Sequence, residues 1–290
     1  MQLEPNPENK TFLIDWIRSL VTAYEDNIDS SDMHMISEAI DGAFRLNKKD
    51  RVLTNMAPFL GITSKGSIAQ RLSIWYGEGS YSTVFDNAAD DLDFTKSRVF
   101  GFEMANLLRD KVALGPVLLY IFHRISISLD GAPTMIVLDE AWALIDNPVF
   151  APKIKDWLKV LRKLNAMVIF ATQSVEDATK SAISDTLIQQ TATQIFLPNL
   201  KATEVYKSVF MLSQREYAIV KTTDPGSRYF LIRQGANSVM AKLDLSGMDD
   251  VISVLSGRAE TVILLDEIRQ ESGDNPEDWL PIFIQRAKNV

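Results

Sequence analysis

No cysteine occurs among the 290 residues. Disulfides, thiolate-bound zinc and cysteine nucleophiles are thereby excluded, and a reducing compartment is weakly favoured. Histidine is scarce: His34 and His123 stand far apart, so a histidine metal site would leave most ligation to carboxylates. Positive charge is in deficit. Lys and Arg number 30 against 38 Asp and Glu, a formal net charge of −8 with a pI of about 4.9. That argues against a general nucleic-acid coat, which needs clustered positive charge, and leaves room only for a local basic patch. Long apolar runs are missing too. The longest, Val112 to Phe122, is about half the ~20 residues of a spanning helix, and His123 and Arg124 follow at once. The opening MQLEPNPENK has neither the basic nor the apolar region of a signal peptide. The expectation is a soluble protein with no transmembrane segment.

What is present is globular in composition, 46% hydrophobic and 23% charged, enough for one large core or a core with a subdomain. Apolar residues at 12, 13, 16, 17, 20 and 21 predict a helix over Glu8 to Tyr24 with Trp16 in the core. Ser30 and Ser31 are placed to cap a second helix to about Leu46, and Lys65 to Tyr76 predicts another, closed by Gly77. From Arg98 the pattern changes. RVFGFEM predicts a strand, Leu114 to Leu129 a helix, TMIVLDE a strand, Phe150 to Leu164 a helix, AMVIFATQ a strand, Ser181 to Gln190 a helix and TQIFLPN a strand. Such alternation indicates parallel βαβ units. SRYFLIRQG and NSVMAKLDL predict an antiparallel pair at the sheet edge, and three helices finish the chain. The expected division is a mainly helical part over 1–95 and an α/β core with C-terminal helices over 96–290. The acidic run DNAADDLDF (Asp86, Asp90, Asp91, Asp93) lacks the spacing and central glycine of a calcium loop and reads as a solvated loop or helix cap.

The run Met135 to Leu138 has no polar alternation, which suits a mid-sheet parallel strand covered on both faces, and it ends in Asp139 and Glu140. Ligands of open α/β sheets bind beyond the carboxyl ends of the strands. A strand closed by Asp-Glu is the hydrolytic arrangement of P-loop ATPases: the aspartate holds magnesium, usually through water, and the next carboxylate polarises the attacking water. The same pair also suits a helix N-terminus. The following strand ends in Thr172, Gln173 and Ser174, which puts an amide donor at the same sheet edge. The intervening helix carries Ile154, Trp157, Leu158, Leu161 and Leu164 on one stripe. Lys155, Lys159, Arg162 and Lys163 fall on the other side, a solvated face in the simplest reading. Arg162, near the end of the helix, could reach a neighbouring subunit's nucleotide.

LDEAW, IKDWLKVLRKLNAMVIFATQS, QQTATQIFLPN, LYIFHRI, SVMAKLDLSGMDD, VLSGR and DNPEDWLP together resemble the C-terminal ATPase domain of the large VirB-class ATPase of type IV secretion and conjugation systems. The resemblance covers almost the whole chain. It implies an α/β, RecA-like P-loop NTPase fold with a parallel sheet and an all-helical insertion near the N-terminus. It also implies ATP and Mg2+ as ligands, assembly as a homo-oligomer, with a hexamer expected, and a cytoplasmic location peripheral to the bacterial inner membrane beside other secretion components. A DNA or protein substrate goes with that role. By the same resemblance Asp139 and Glu140 are the Walker B pair, with Asp139 holding Mg2+ through water, Gln173 is the sensor glutamine that also contacts nucleotide, and Arg162 is the arginine finger. Glu103, at the end of RVFGFE, is a weaker candidate.

One departure stands out: no G-x-x-x-x-G-K-[ST] occurs in the chain, and GITSKGS at Gly61 lacks the spacing. The family carries that loop upstream of the matching region, on a strand between the one ending in Gln173 and TQIFLPN. Met1 is therefore expected to be an internal start, a split gene or a truncated record. Two readings follow, a part of a secretion ATPase that activates water but does not grip phosphate, and a non-catalytic assembly module. A carboxylate-dependent metal nuclease or phosphatase, which would need more converging carboxylates, ranks last.

Overall fold

A computed structural model describes residues 1–23, 28–141, 144, 147, 151–173 and 184–288, and of residues 153, 155 and 184–186 the backbone alone. The chain forms two compact units, Met1–Gln190 and Thr191–Val290.

In the first unit, helix α1 (Pro7–Val21) starts where Asn6 accepts the Asn9 N–H at 2.7 Å and Pro7 occupies the first turn. Its stripe of Leu13, Trp16, Ile17 and Leu20 is buried. Helix α2 (Ser30–Phe44) is capped one residue earlier than the serines suggest. The Asp29 carboxylate accepts the Asp32 N–H while Asp32 accepts the Asp29 N–H, a reciprocal pair that satisfies two orphan donors. The helix expected over Lys65 to Tyr76 is shorter, Ile68–Leu72 plus a 3-10 turn over Ser73–Trp75, with Ser67 as its cap. These helices enclose a core of Leu13, Trp16, Ile36, Ile40, Leu72 and Trp75. Both buried indoles are satisfied: Trp16 donates to Pro116 O at 3.1 Å and Trp75 to Leu20 O at 3.0 Å.

Helix α3 (Leu114–Ser128) borders two cores, with Leu119 in the helical core and Leu114, Leu118 and Phe122 in a second one. That second core lies under a parallel pair, β1 (Thr134–Leu138) and β2 (Ala166–Phe170), joined through helix α4 (Ala151–Leu161) and a 3-10 turn over Arg162–Leu164. Strand register runs from Thr134↔Ala166 to Leu138↔Phe170. Ile136, Leu138, Val168 and Phe170 face Phe122, Ile154, Trp157 and Leu158. Helix α5 (Ser184–Gln190) adds the buried Leu187.

Two strand expectations are corrected here. RVFGFEM is not a strand: residues 99–104 are irregular, because a strand holds only where a neighbour takes its backbone hydrogen bonds, and none among the described residues pairs here. Strand β1 is also not covered on both faces among the described residues. Met135 and Val137 are 60% and 59% exposed, and Met167 and Ile169 on β2 share that open face. Both packing helices, α3 and α4, lie against the other one.

In the second unit, β3 (Thr193–Phe196), β4 (Tyr229–Gln234) and β5 (Asn237–Lys242) form an antiparallel sheet in that order. TQIFLPN thus pairs antiparallel with the hairpin, Ile195 opposite Ile232, rather than extending the β1–β2 ladder. The β4–β5 hairpin turns at Gly235 with φ +58, a conformation suited to glycine. Between β3 and β4 lie α6 (Val205–Phe210) and α7 (Gln214–Thr222). The latter opens on a capping box in which Ser213 and Glu216 bond each other's backbone N–H. Burial pushes the Glu216 carboxyl up, but bonds from Ser213 and Ser238 together with Arg233 outweigh it and hold the group below the usual range. Three helices, α8 (Asp249–Leu255), α9 (Ala259–Ser272) and α10 (Pro276–Ala287), close the chain as expected.

Candidate active site at the carboxyl end of the parallel pair

Strands β1 and β2 end side by side. In a parallel ladder alternate N–H groups of a strand donate to its partner, and the Ala171 N–H donates to Leu138 O at 2.9 Å in that pattern. The next donor in register is the Glu140 N–H, with Ala171 O as acceptor. That bond is not made. Instead Ala141 N donates to Ala171 O at 3.0 Å, and the Glu140 N–H is taken by Asp139 Oδ1 at 3.0 Å. β1 ends at Leu138 and residues 139–140 form a turn, in which Asp139 and Glu140 together oppose Ala171 in the bonding pattern of a β-bulge at the strand end. Glu140 takes φ +49 to make it, a conformation costly for a residue with a Cβ.

The bulge lifts both carboxylates out of the strand at the sheet edge, with Asp139 exposed and Glu140 half-buried. Ala141 returns to the core fully buried beside Leu138 and Ile154. On β2, Ala171 is followed at once by Thr172 and Gln173, both exposed. The strand pairing therefore brings Asp139, Glu140 and Gln173 to one end of the pair. Ser174 lies outside the described residues.

Arg162 is not brought to them. It opens the 3-10 turn before β2, exposed, at the amino end of the strands. The whole of β2 (Ala166–Phe170), roughly 13 Å long at about 3.3 Å per residue, lies between it and the end that carries Gln173. Of the flanking cations, Lys159 pairs with Asp156 at 3.1 Å, and the Lys155 side chain lies outside the described residues. Glu103 sits in the irregular segment, where its carboxylate accepts the Ala105 N–H at 2.7 Å and so closes a local turn. The acidic run is also occupied structurally. Asp86 accepts from Thr54 and Gly77 N–H groups, Asp90 is held by Tyr120 and Arg124, and Asp93 binds Thr95.

Asp139 suits a cation such as Mg2+. One of its oxygens is engaged by the Glu140 N–H, and among the described residues nothing bonds the other. Among the described residues no group of three acidic or histidine side chains converges on one metal position. A hard cation that takes one or two protein carboxylates, and completes its shell with water and phosphate oxygens, matches such a donor set. Sequence reasoning located the two carboxylates and the amide but missed Ala141 and Ala171.

The chain is similar to known proteins. The chain is 40% identical over 289 residues to the type IV secretion system protein virB4 of Bartonella henselae, covering 99% of this chain and 37% of that protein. It is 31% identical over 299 residues to virB4 of Brucella abortus and 30% identical over 295 residues to PtlC of Bordetella pertussis, in each case over 36% of the relative. The chain thus spans a little over a third of the length of these relatives. A solved structure of VirB4 from Thermoanaerobacter pseudethanolicus superposes with a TM-score of 0.62 at 18% identity, over 81% of this chain and 69% of that one. It has the same α/β fold. Among the described residues no helix is long and apolar enough to cross a membrane. Residues 65–229 match the TraG P-loop domain, and the chain belongs to that family.

Proposed function

We propose that the chain is the water-activating part of an ATPase that energises type IV secretion or conjugal transfer. The observation that carries this reading is the juxtaposition of Asp139, Glu140 and Gln173 across one strand pair, closed by the Ala141 N–H to Ala171 O bond at 3.0 Å. Bound Mg2+ supplies charge neutralisation on the phosphate oxygens. The second oxygen of Asp139 would hold that ion through water. Glu140 takes the proton of the attacking water, and the Gln173 amide donates to that water or to the transferred phosphoryl group. Arg162, remote from these groups within its own chain, acts on the nucleotide of a neighbouring copy in a ring, for which a hexamer is the expected form. The helical part over 1–95 and the ATPase core over 96–290 are the two divisions of the reading. The working location is the cytoplasmic face of the inner membrane among other secretion components, with DNA or protein as the translocated substrate.

The test is Glu140→Gln in a chain to which a phosphate-binding loop has been restored. A carboxamide cannot accept the water's proton, so nucleotide binding is retained and turnover is abolished. Turnover within about threefold of wild type overturns the assignment. A second reading, a docking module that does not hold ATP by itself, is favoured by one observation, the absence of G-x-x-x-x-G-K-[ST] from these residues.

A further inference from the structure

We propose that the bulge at Asp139–Glu140 is a strained positioning device, and that Ala141 is the positioning residue that holds it. The inference rests on the catalytic reading of Glu140 for its purpose, though not for its geometry. Four observations carry it. Past the end of β1 the bonding skips Glu140, and Ala141, just after the turn of residues 139–140, donates its N–H to Ala171 O at 3.0 Å. Glu140 is thereby held at φ +49. Its freed N–H is capped by Asp139 Oδ1 at 3.0 Å. Ala141 is fully buried in the core cluster that holds Leu138 and Ile154, so the return of the chain is fixed from inside the core.

Without the bulge, strand periodicity would send residues 139 and 140 to opposite faces of the sheet. Only one of the two carboxylates could then serve the ligand side. With it, Asp139 does two tasks at once: one oxygen holds the backbone of its neighbour, and the other is left for the cation. Backbone strain of this kind persists only where surrounding structure over-determines it, and here the two bonds to Ala171 and Leu138 bracket the strained residue.

The experiment compares Glu140→Gly with Glu140→Ala in the 290-residue chain by thermal melting. At an ordinary position glycine is the less stable of the two. Here glycine relieves the left-handed strain, and the expected order is reversed, with Glu140→Gly melting about 2–4 °C above Glu140→Ala. Asp139→Asn, which keeps the acceptor, should melt above Asp139→Ala. Glu140→Ala melting at or above Glu140→Gly overturns the strain. In a chain with the phosphate-binding loop restored, Ala141→Val should lower kcat about tenfold or more while KM for Mg-ATP stays within about twofold. A lowered melting temperature with unchanged kcat overturns the positioning role. The melting order does not depend on ATP chemistry, so it stands or falls separately from the Glu140→Gln result.

Discussion

His123 Nε2 lies 2.8 Å from Asn9 Oδ1, and its ring stacks on Phe12 at 3.7 Å with 5° between planes. The Asn9 amide nitrogen already donates to Glu4 O at 2.9 Å, so its oxygen is the acceptor and His123 donates as the neutral tautomer. Burial lowers the His123 pKa from 6.5 to about 4. The unfolded chain takes up the proton first, so the contribution is complete above pH 6.5 and is lost as pH falls toward 4. The melting temperature is expected to fall over that window, and His123→Gln should flatten the fall. An equal slope in the variant assigns the acid sensitivity elsewhere.

In the second unit the Ser213 hydroxyl accepts the Glu216 N–H at 3.3 Å and donates to the Glu216 carboxylate at 2.8 Å. Ser213→Ala removes the cap and should destabilise the chain by about 1 kcal/mol, measured by urea denaturation. Because Glu216 is held below its usual pKa, its share of stability is present above the ordinary carboxylate range and is lost as acidification protonates it. The difference between Ser213→Ala and wild type should therefore shrink in acid.

Placing Arg162 at the far end of β2 from Gln173 gives a mixing test. In a chain with the phosphate-binding loop restored and assembled into its oligomer, Arg162→Ala should reduce hydrolysis about 10³-fold or more while sparing binding by a single subunit. Mixed with Glu140→Gln, it should recover part of the activity, because some interfaces then join an intact arginine to an intact glutamate. No recovery at any ratio removes the case for action between copies.

Phosphate grip needs backbone amides and a lysine in a glycine-rich loop, and these residues contain no such motif. Titration calorimetry of the 290-residue chain with Mg-ATP should give a Kd of about 1 mM or weaker. Micromolar affinity would mean that the phosphate site lies among residues assigned here to packing.

Much of the site was legible because it is written in composition at strand ends. An apolar run that stops at Asp139 and another that stops at Gln173 need only be neighbours, and the helix between them makes a parallel pairing the natural one. The bulge was not legible, since it depends on which carbonyl Ala141 reaches rather than on what Ala141 is. RVFGFEM failed as a strand for a related reason: β propensity measures fit to a neighbour, and the pattern of residues 98–104 cannot say whether one is there. The open face of Met135 and Val137 was hidden in the same way, because an unbroken apolar run is compatible with one covered face or two.

Helix α3 carries an optical consequence. Trp16 hangs from its first turn through Pro116 O at 3.1 Å, and Trp157 from its last through the Ser126 hydroxyl at 2.6 Å. Each indole reports on a different hydrophobic core, yet both are fastened to the same rod. Melting of either core releases the helix that anchors the other's chromophore, so tryptophan emission from residues 1–190 should shift to the red in one cooperative step rather than two.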